Sequence, residues 1–212
     1  MNIGRTVRFL LNKRQLSYLY MMTHSGYLFQ NGWIRSFAEQ SPVAKDGTPV
    51  PWLTIPFVKF LTPRLDSSMT VLEYGSGNST LFYSKLAQSV VSVESDSDWY
   101  NKLLSQVDQR VVDIHLKQLP EYITFAGTLG RQFDFIVVDG LERVQCSKEA
   151  VKLLSDRGVM VLDDCVREEY RPIYDHMKEA GFRCIEFFGM APGSRKDNGT
   201  AVFYRDGNCL GI

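Results

Sequence analysis

Beyond about residue 70 the chain alternates between two hydrophobic periods. Short runs rich in Val, Ile, Leu and aromatic residues occupy positions 70–73, 90–94, 111–115, 133–138, 159–162, 182–188 and 200–204. Longer stretches with helical spacing lie between them at 79–87, 97–107, 119–128, 146–155 and 168–180, the last closed by Gly181. Strands and helices in succession are the pattern of a parallel sheet covered on both faces. The runs FDFIVVDG and GVMVLDD are almost continuously apolar, as strands buried on both faces should be, and both end in acidic residues. The expectation is an α/β fold, a doubly wound, mainly parallel sheet of seven strands. In such sheets ligands sit outside the carboxyl ends of the strands, so those acidic ends are candidate chemistry.

Before about residue 65 the pattern is different. A helical segment rich in aromatic residues and methionine leads into the link SPVAKDGTPVPWLTIP. This predicts an N-terminal helical appendage and link over residues 1–50, carried on one main domain over residues 51–212. The aromatics Tyr18, Tyr20, Tyr27, Phe29 and Trp33 would pack on the domain or on a sister subunit, which makes a homodimer through this segment a candidate assembly, or would form a lid over a substrate.

Composition narrows the function classes. The 212 residues are enough for one well-buried core. Basic and acidic residues balance at 24 each, so overall charge supplies no reason to expect nucleic acid or a membrane as partner. Lys13 and Arg14 interrupt the N-terminal apolar runs well short of the roughly 20 residues a membrane span needs, and Phe9-Leu10-Leu11 is too short for a signal-peptide core. A cytoplasmic protein with a small-molecule substrate is expected. Cys146, Cys165, Cys184 and Cys209, like His24, His115 and His176, are dispersed, without the spacing of a structural zinc site, and no G-x-S-x-G elbow is present.

The densest chemistry lies in VLEYGSGNSTLFYSK. An apolar strand ends at Glu73, and Gly75-Ser76-Gly77 turns into a helix starting near Asn78. Glycine tolerates positive φ and lets a ligand approach the backbone, while the helix start offers free N–H groups to a carboxylate. Glu94 ends the neighbouring run VVSVESD, where a carboxylate can accept hydrogen bonds from two ribose hydroxyls. A plain strand-to-helix turn and a solvated strand end are the bland alternatives. A dinucleotide site would want a third glycine where Thr80 stands.

With its acidic residue two before the first glycine and Ser/Thr after the second, this turn resembles motif I of class I S-adenosylmethionine-dependent methyltransferases. Glu94 and FDFIVVDG extend the likeness over roughly residues 50–205. The resemblance implies the Rossmann-like methyltransferase fold and S-adenosyl-L-methionine as cofactor. It further implies that Glu73, Gly75, Ser76, Gly77, Asn78 and Ser79 line the methionine and ribose part of the cofactor, that Glu94 grips the ribose, and that Asp139 faces the methyl-transfer site or the cofactor amine. His115-Leu116-Lys117 stands where the family often has an acidic adenine ligand; Tyr122 and Gln118 are candidate substitutes.

Asp139, Asp163 and Asp164 end adjacent strands and resemble the acidic strand ends of catechol-type O-methyltransferases, which bind a divalent metal there. Those enzymes present a lysine shortly after the fourth strand. Here the segment reads Gly140-Leu141-Glu142-Arg143, so the metal is a candidate but not the favoured reading. The expected activity is methyl transfer to an acceptor oxygen with Asp139 as the catalytic group. The alternatives are a cofactor-binding but inactive interaction protein, or an aminopropyltransferase. Arg143 would orient an acidic group of the acceptor or form a surface ion pair.

Overall fold

The computed structural model describes residues 12–212. Seven strands form one sheet in the order β3-β2-β1-β4-β5-β7-β6: β1 Thr70–Tyr74, β2 Ser89–Glu94, β3 Val112–Leu116, β4 Phe133–Val138, β5 Leu154–Asp163, β6 Arg183–Met190 and β7 Asp197–Tyr204. Strands β1 to β5 pair in parallel, and β7 runs antiparallel to both its neighbours. The order reverses between β1 and β4, where Leu72 lies beside Val91 on one side and Ile136 on the other. That reversal is where an open α/β sheet leaves a crevice.

Strand alternation sorts the core into two layers. Val71, Val90, Phe135, Val137, Val159, Val161 and Val202 point to one face, where they meet Leu53, Phe57, Leu61, Phe82, Tyr83 and Leu103. Those partners precede or belong to α4 (Ile55–Leu61), α5 (Asn78–Tyr83) and α6 (Ser97–Leu104). Leu72, Tyr74, Val91, Ile136, Met160 and Leu162 point to the other face, against Tyr122, Cys146, Ala150, Ile173 and Met177 of α7 (Glu121–Thr124), α8 (Arg143–Leu153) and α9 (Arg171–Glu179). The doubly wound, mainly parallel seven-stranded sheet read from the sequence is therefore present.

Three elements differ in detail. The helix expected over 119–128 is a short α7 followed by a 3-10 turn, Phe125–Leu129; Pro120 at its start has no N–H to give, and Gly130 ends it in the left-handed region. Helix α8 begins three residues earlier than expected, and β5 starts directly after it, because Leu154 pairs with Phe133 across a register shift. The helix expected over 168–180 opens with the 3-10 turn Glu168–Tyr170 and becomes α-helical only where Pro172 takes an early position.

The N-terminal segment is helical: α1 Lys13–His24, α2 Tyr27–Gln30 and α3 Trp33–Glu39. The link behind it is tied down at both ends, by one local and one long-range bond. Ser36 donates to the Val43 carbonyl at 2.8 Å, and Thr54 N–H donates to Thr200 Oγ1 at 3.1 Å. Trp33 packs on the domain, its indole donating to the Ser194 carbonyl at 2.7 Å. Tyr18, Tyr20 and Tyr27 do not share that fate and remain 53–62% exposed.

Candidate active site

One alternation places the acidic strand ends together. Glu73 follows Val71, Glu94 follows Val90 and Ser92, Asp139 follows Phe135 and Val137, and Asp163 follows Val159 and Val161. All four therefore stand at the carboxyl ends of their strands on the face covered by α4, α5 and α6. Three contiguous hollows open there, and Asp139 lines all of them.

The first hollow, about 310 Å³, is bordered by Gly75, Ser76, Ser79, Glu94, Tyr122 and Asp139. Gly75 needs its missing side chain: its φ is +91°, and a Cβ would stand 2.9 Å from the Asp139 carbonyl. Gly77 differs from the sequence reading, which asked the turn as a whole for positive φ. Its φ of 168° is extended backbone, and a Cβ there would meet nothing closer than Trp99 at 3.7 Å, so what Gly77 preserves is space. Glu94 organises the turn. Its Oε2 accepts from Ser76 N–H at 2.9 Å and Ser76 Oγ at 2.6 Å, and its Oε1 accepts from Ser95 and Asp96 N–H at 2.7 and 2.9 Å. Four donors occupy the carboxylate's four acceptor sites.

Glu73 lies beneath the turn rather than on the wall of the hollow. It is 1% exposed and accepts from Thr80 Oγ1 at 2.5 Å and Ser92 Oγ at 3.3 Å. Burial pushes its carboxyl up to about 8, against the pull of those hydroxyls. Tyr122, a candidate for the adenine end, is a core residue packed 6.0 Å from the Tyr74 ring. Its buried hydroxyl has no partner among the described residues, and Gly140 makes room for it. Gln118 donates to the Ser95 carbonyl at 2.6 Å and closes the loop after β2.

The second hollow, about 120 Å³, is walled by Gly77, Asn78 and Ser79 together with Ser41, Pro42, Trp52 and Trp99. Asn78 holds the link in place, donating to the Pro42 carbonyl at 2.7 Å and to Ser41 Oγ at 3.0 Å. Trp99 supports the glycine turn through its indole, which donates to the Ser76 carbonyl at 2.6 Å. The sequence reading did not single out Trp52, Ser41, Pro42 or Trp99. Only Trp52, set among prolines in the link, carried a signal, a large aromatic where a plain tether would have none.

The third hollow, about 320 Å³, is lined by Trp52, Asp139, Arg143, Asp163, Asp164, Ala191, Ser194 and Asn198. Arg143 sits at the start of α8, with its side chain only 12% exposed and its guanidinium 5.4 Å from the Tyr170 ring, so it is not the surface ion pair considered from sequence. It pairs with Asp139 Oδ1 at 2.9 Å, donates to the Asp163 carbonyl at 2.7 Å and the Gly140 carbonyl at 3.2 Å, and stands 3.9 Å from both Asp163 and Asp164 carboxylates. Burial raises Asp139 to about 6; Arg143 pulls it down and Asp164 pushes it up. Burial also lifts Asp163 well above the carboxylate range, with the charges of Asp139 and Asp164 adding to it. Asp164, at φ +56°, is paired outward with Arg167.

A divalent cation does not fit this donor set. The position shared by the three carboxylates is taken by the Arg143 guanidinium, and among the described residues no group of three or more His, Cys, Asp or Glu side chains is arranged to hold an ion.

No protein-family model matches the chain, and no curated protein sequence does. Solved structures do resemble it. A methyltransferase from Geobacter sulfurreducens superposes with a TM-score of 0.55 at 13% identity, over 92% of this chain and 98% of its own. Fibrillarin from Aeropyrum pernix, with natively bound S-adenosyl-L-methionine, gives 0.56 at 17% identity over 70% and 72% of the two chains. An rRNA methylase from Streptococcus thermophilus gives 0.53 at 12% identity over 71% and 96%. At such identities the likeness is one of fold, and the fold is the Rossmann-like fold of class I methyltransferases.

Proposed function

We propose that this chain is an S-adenosylmethionine-dependent methyltransferase whose acceptor is a hydroxyl oxygen of a small, donor-rich molecule without negative charge. The observation that carries the reading is the place of Asp139 on the wall shared by the glycine-turn hollow and the acid-walled hollow. A group there can touch both reactants.

The glycine-turn hollow has the size, the bare backbone at Gly75 and the carboxylate needed for the cofactor. The Gly75–Ser79 turn would take its amino-acid end and Glu94 its ribose, with one Glu94 bond, such as that to Ser76 Oγ, given up to the ligand. When bound, the cofactor supplies an activated methyl group and its own good leaving group. The chain's tasks are to hold the acceptor in line, exclude water and take the acceptor's proton. Asp139 suits the last task. Arg143 engages Oδ1, Oδ2 takes no hydrogen bond among the described residues, and a carboxyl raised to about 6 is ionised at neutral pH yet more basic than an ordinary aspartate.

The acceptor class follows from the lining. Three acidic side chains face one guanidinium that is already committed to them, so hydroxyl groups find acceptors while phosphate or carboxylate groups find no free cation. Trp52, 52% exposed at the rim, offers an apolar surface for the rest of the molecule. This disfavours nucleic acid as acceptor. The test is calorimetry with S-adenosylhomocysteine, then transfer of isotopically labelled methyl to neutral polyols and phenols, to nucleotides and to RNA. Binding with transfer to the neutral hydroxyl compounds, undiminished by EDTA, is the expected result. Absence of binding would end the cofactor assignment; transfer to RNA alone, or strict dependence on added Mg²⁺, would overturn the acceptor and metal-independent readings.

A further inference from the structure

The balance of charge over the whole chain conceals a segregation. The first 38 residues contain Arg5, Arg8, Lys13, Arg14 and Arg35 and not one Asp or Glu, leaving 19 basic against 24 acidic residues in the rest. Within this basic stretch, α1 and the first residue of α2 carry six of the fifteen large hydrophobic side chains exposed among the described residues: Tyr18, Leu19, Tyr20, Met21, Met22 and Tyr27, all between 47% and 62% exposed. No residue of α1 is buried. So dense an apolar patch on a basic helix is not explained by the domain it is attached to.

We propose that α1 and the start of α2 form a peripheral docking element for an anionic lipid surface. Lys13, Ser17 and His24, spaced i, i+4 and i+11, share one stripe, which Tyr20 joins through its stack on His24, while Tyr18, Leu19 and Met22 lie round the other side of the helix. Twelve residues make a helix about 18 Å long, far short of a span, so the element lies in the interfacial plane with its basic residues near the headgroups.

Charge argues against the other occupants. A second copy bound by a symmetric contact through this segment would oppose two wholly basic stretches. Single-stranded RNA would want free aromatic faces. Here His24 stacks on Tyr20 at 4.1 Å, Arg14 lies 5.8 Å from the Tyr18 ring and Lys59 lies 5.1 Å from the Tyr27 ring. The same N-terminal unit reaches the acid-walled hollow through Trp33, whose indole holds Ser194 on its lining.

The experiment is co-sedimentation of the full chain with vesicles of phosphatidylcholine alone and of an equimolar mixture with phosphatidylglycerol, at low and high salt. Binding to the anionic vesicles, weakened by salt, is expected. The double variant Lys13→Glu/Arg14→Glu should bind about 25-fold less or weaker still, and Leu19→Ser/Met22→Ser should also lose binding. Both should keep wild-type Tm and S-adenosylhomocysteine affinity, which separates lost docking from misfolding and from failure of the methyltransferase reading. No binding to anionic vesicles, binding indifferent to these variants, retention of polyuridylate in place of vesicles, or a dimer by light scattering that both variants dissolve would each overturn the proposal.

Discussion

The two halves of the crevice are built on opposite principles. On the β1–β2 side, the Gly75–Ser79 turn and Glu94 form a cradle in which the contacts of Glu94 join near neighbours at the ends of two adjacent strands, and Glu94 is fully satisfied by four donors. On the β4–β5 side, Asp139, Asp163 and Asp164 crowd round the single guanidinium of Arg143, and burial lifts the pKa of two of them. One side is preorganised by backbone geometry, the other by a balance of charge. The first can offer a ligand a fixed shape. The second is strained toward accepting donors.

The largest effect should come from breaking the shape of the first side. Gly75→Val places a β-branched side chain at φ +91° and within 2.9 Å of a backbone carbonyl. Strain and overpacking together should cost about 4 kcal/mol or more, with S-adenosylhomocysteine binding lost. Gly77→Ala is the matched control. Its backbone is extended and its surroundings open, so Tm should stay at the wild-type value while affinity falls; a collapse of Tm in Gly77→Ala would show that the two glycines do not have separate tasks.

Breaking the charge balance comes next. Arg143→Met removes the cation that Asp139, Asp163 and Asp164 share, which should cost about 3 kcal/mol, the low end for a severed buried pair, and lower Tm by about 6–12 °C in a domain of this size. Calorimetric affinity for S-adenosylhomocysteine should change far less than Tm, because the cradle does not use Arg143. Equal losses in both would merge the two sides into one unit. Within the cradle, Glu94→Ala should weaken that affinity by about 1–3 kcal/mol, the loss of a charged acceptor, whereas Ser76→Ala, which frees one acceptor site on Glu94, should bind no more weakly than wild type.

The same contrast explains what the sequence made legible. The alternation of runs marked all seven strands, a glycine turn read within fifteen residues pointed to Gly75, Ser76 and Ser79, and the end of the next run pointed to Glu94, because that half depends on local spacing. Glu73 carried the right motif position, but only burial by Thr80 and Ser92 tells that it lies under the turn. Arg143 and Asp139, four residues apart, were both visible, but the approach of Arg143 to Asp163 and Asp164 was not, since it crosses from β4 to β5 and depends on which way a strand end points. Trp52 and Pro42 reach the wall from a link whose path is set by the Asn78 and Thr200 bonds, contacts of 36 and 146 residues' separation that no periodicity encodes.

The last test is a pH slope, spread over several units of pH, and it shows whether Glu73 belongs to the framework of the cradle. Its carboxyl is raised to about 8 in the folded chain against 4.5 ordinarily, chiefly by burial. Between those values the folded state holds a proton that the unfolded chain releases, so stability falls as pH rises through this window and levels off above it. Asp139, raised to about 6 from 3.8, acts in the same direction over the lower part of the range and is nearly spent above neutrality. The exposed acids Asp46, Asp66 and Asp108 are lowered by their hydrogen bonds, and their contribution is lost only in acid, below the window. From pH 7 to 8.5 Glu73 shares the downward slope in Tm with Asp163 and with the thiols of Cys146, Cys165, Cys184 and Cys209, all raised by burial, so its own part is the difference between the wild type and a variant that cannot titrate at position 73. Glu73→Gln keeps the shape and an oxygen to accept from Thr80 while removing the titration, so it should match wild type near pH 5 and lose less Tm by pH 8.5. Parallel curves for the two proteins would mean that Glu73 is ionised in the fold and that the hydroxyls of Thr80 and Ser92 outweigh burial.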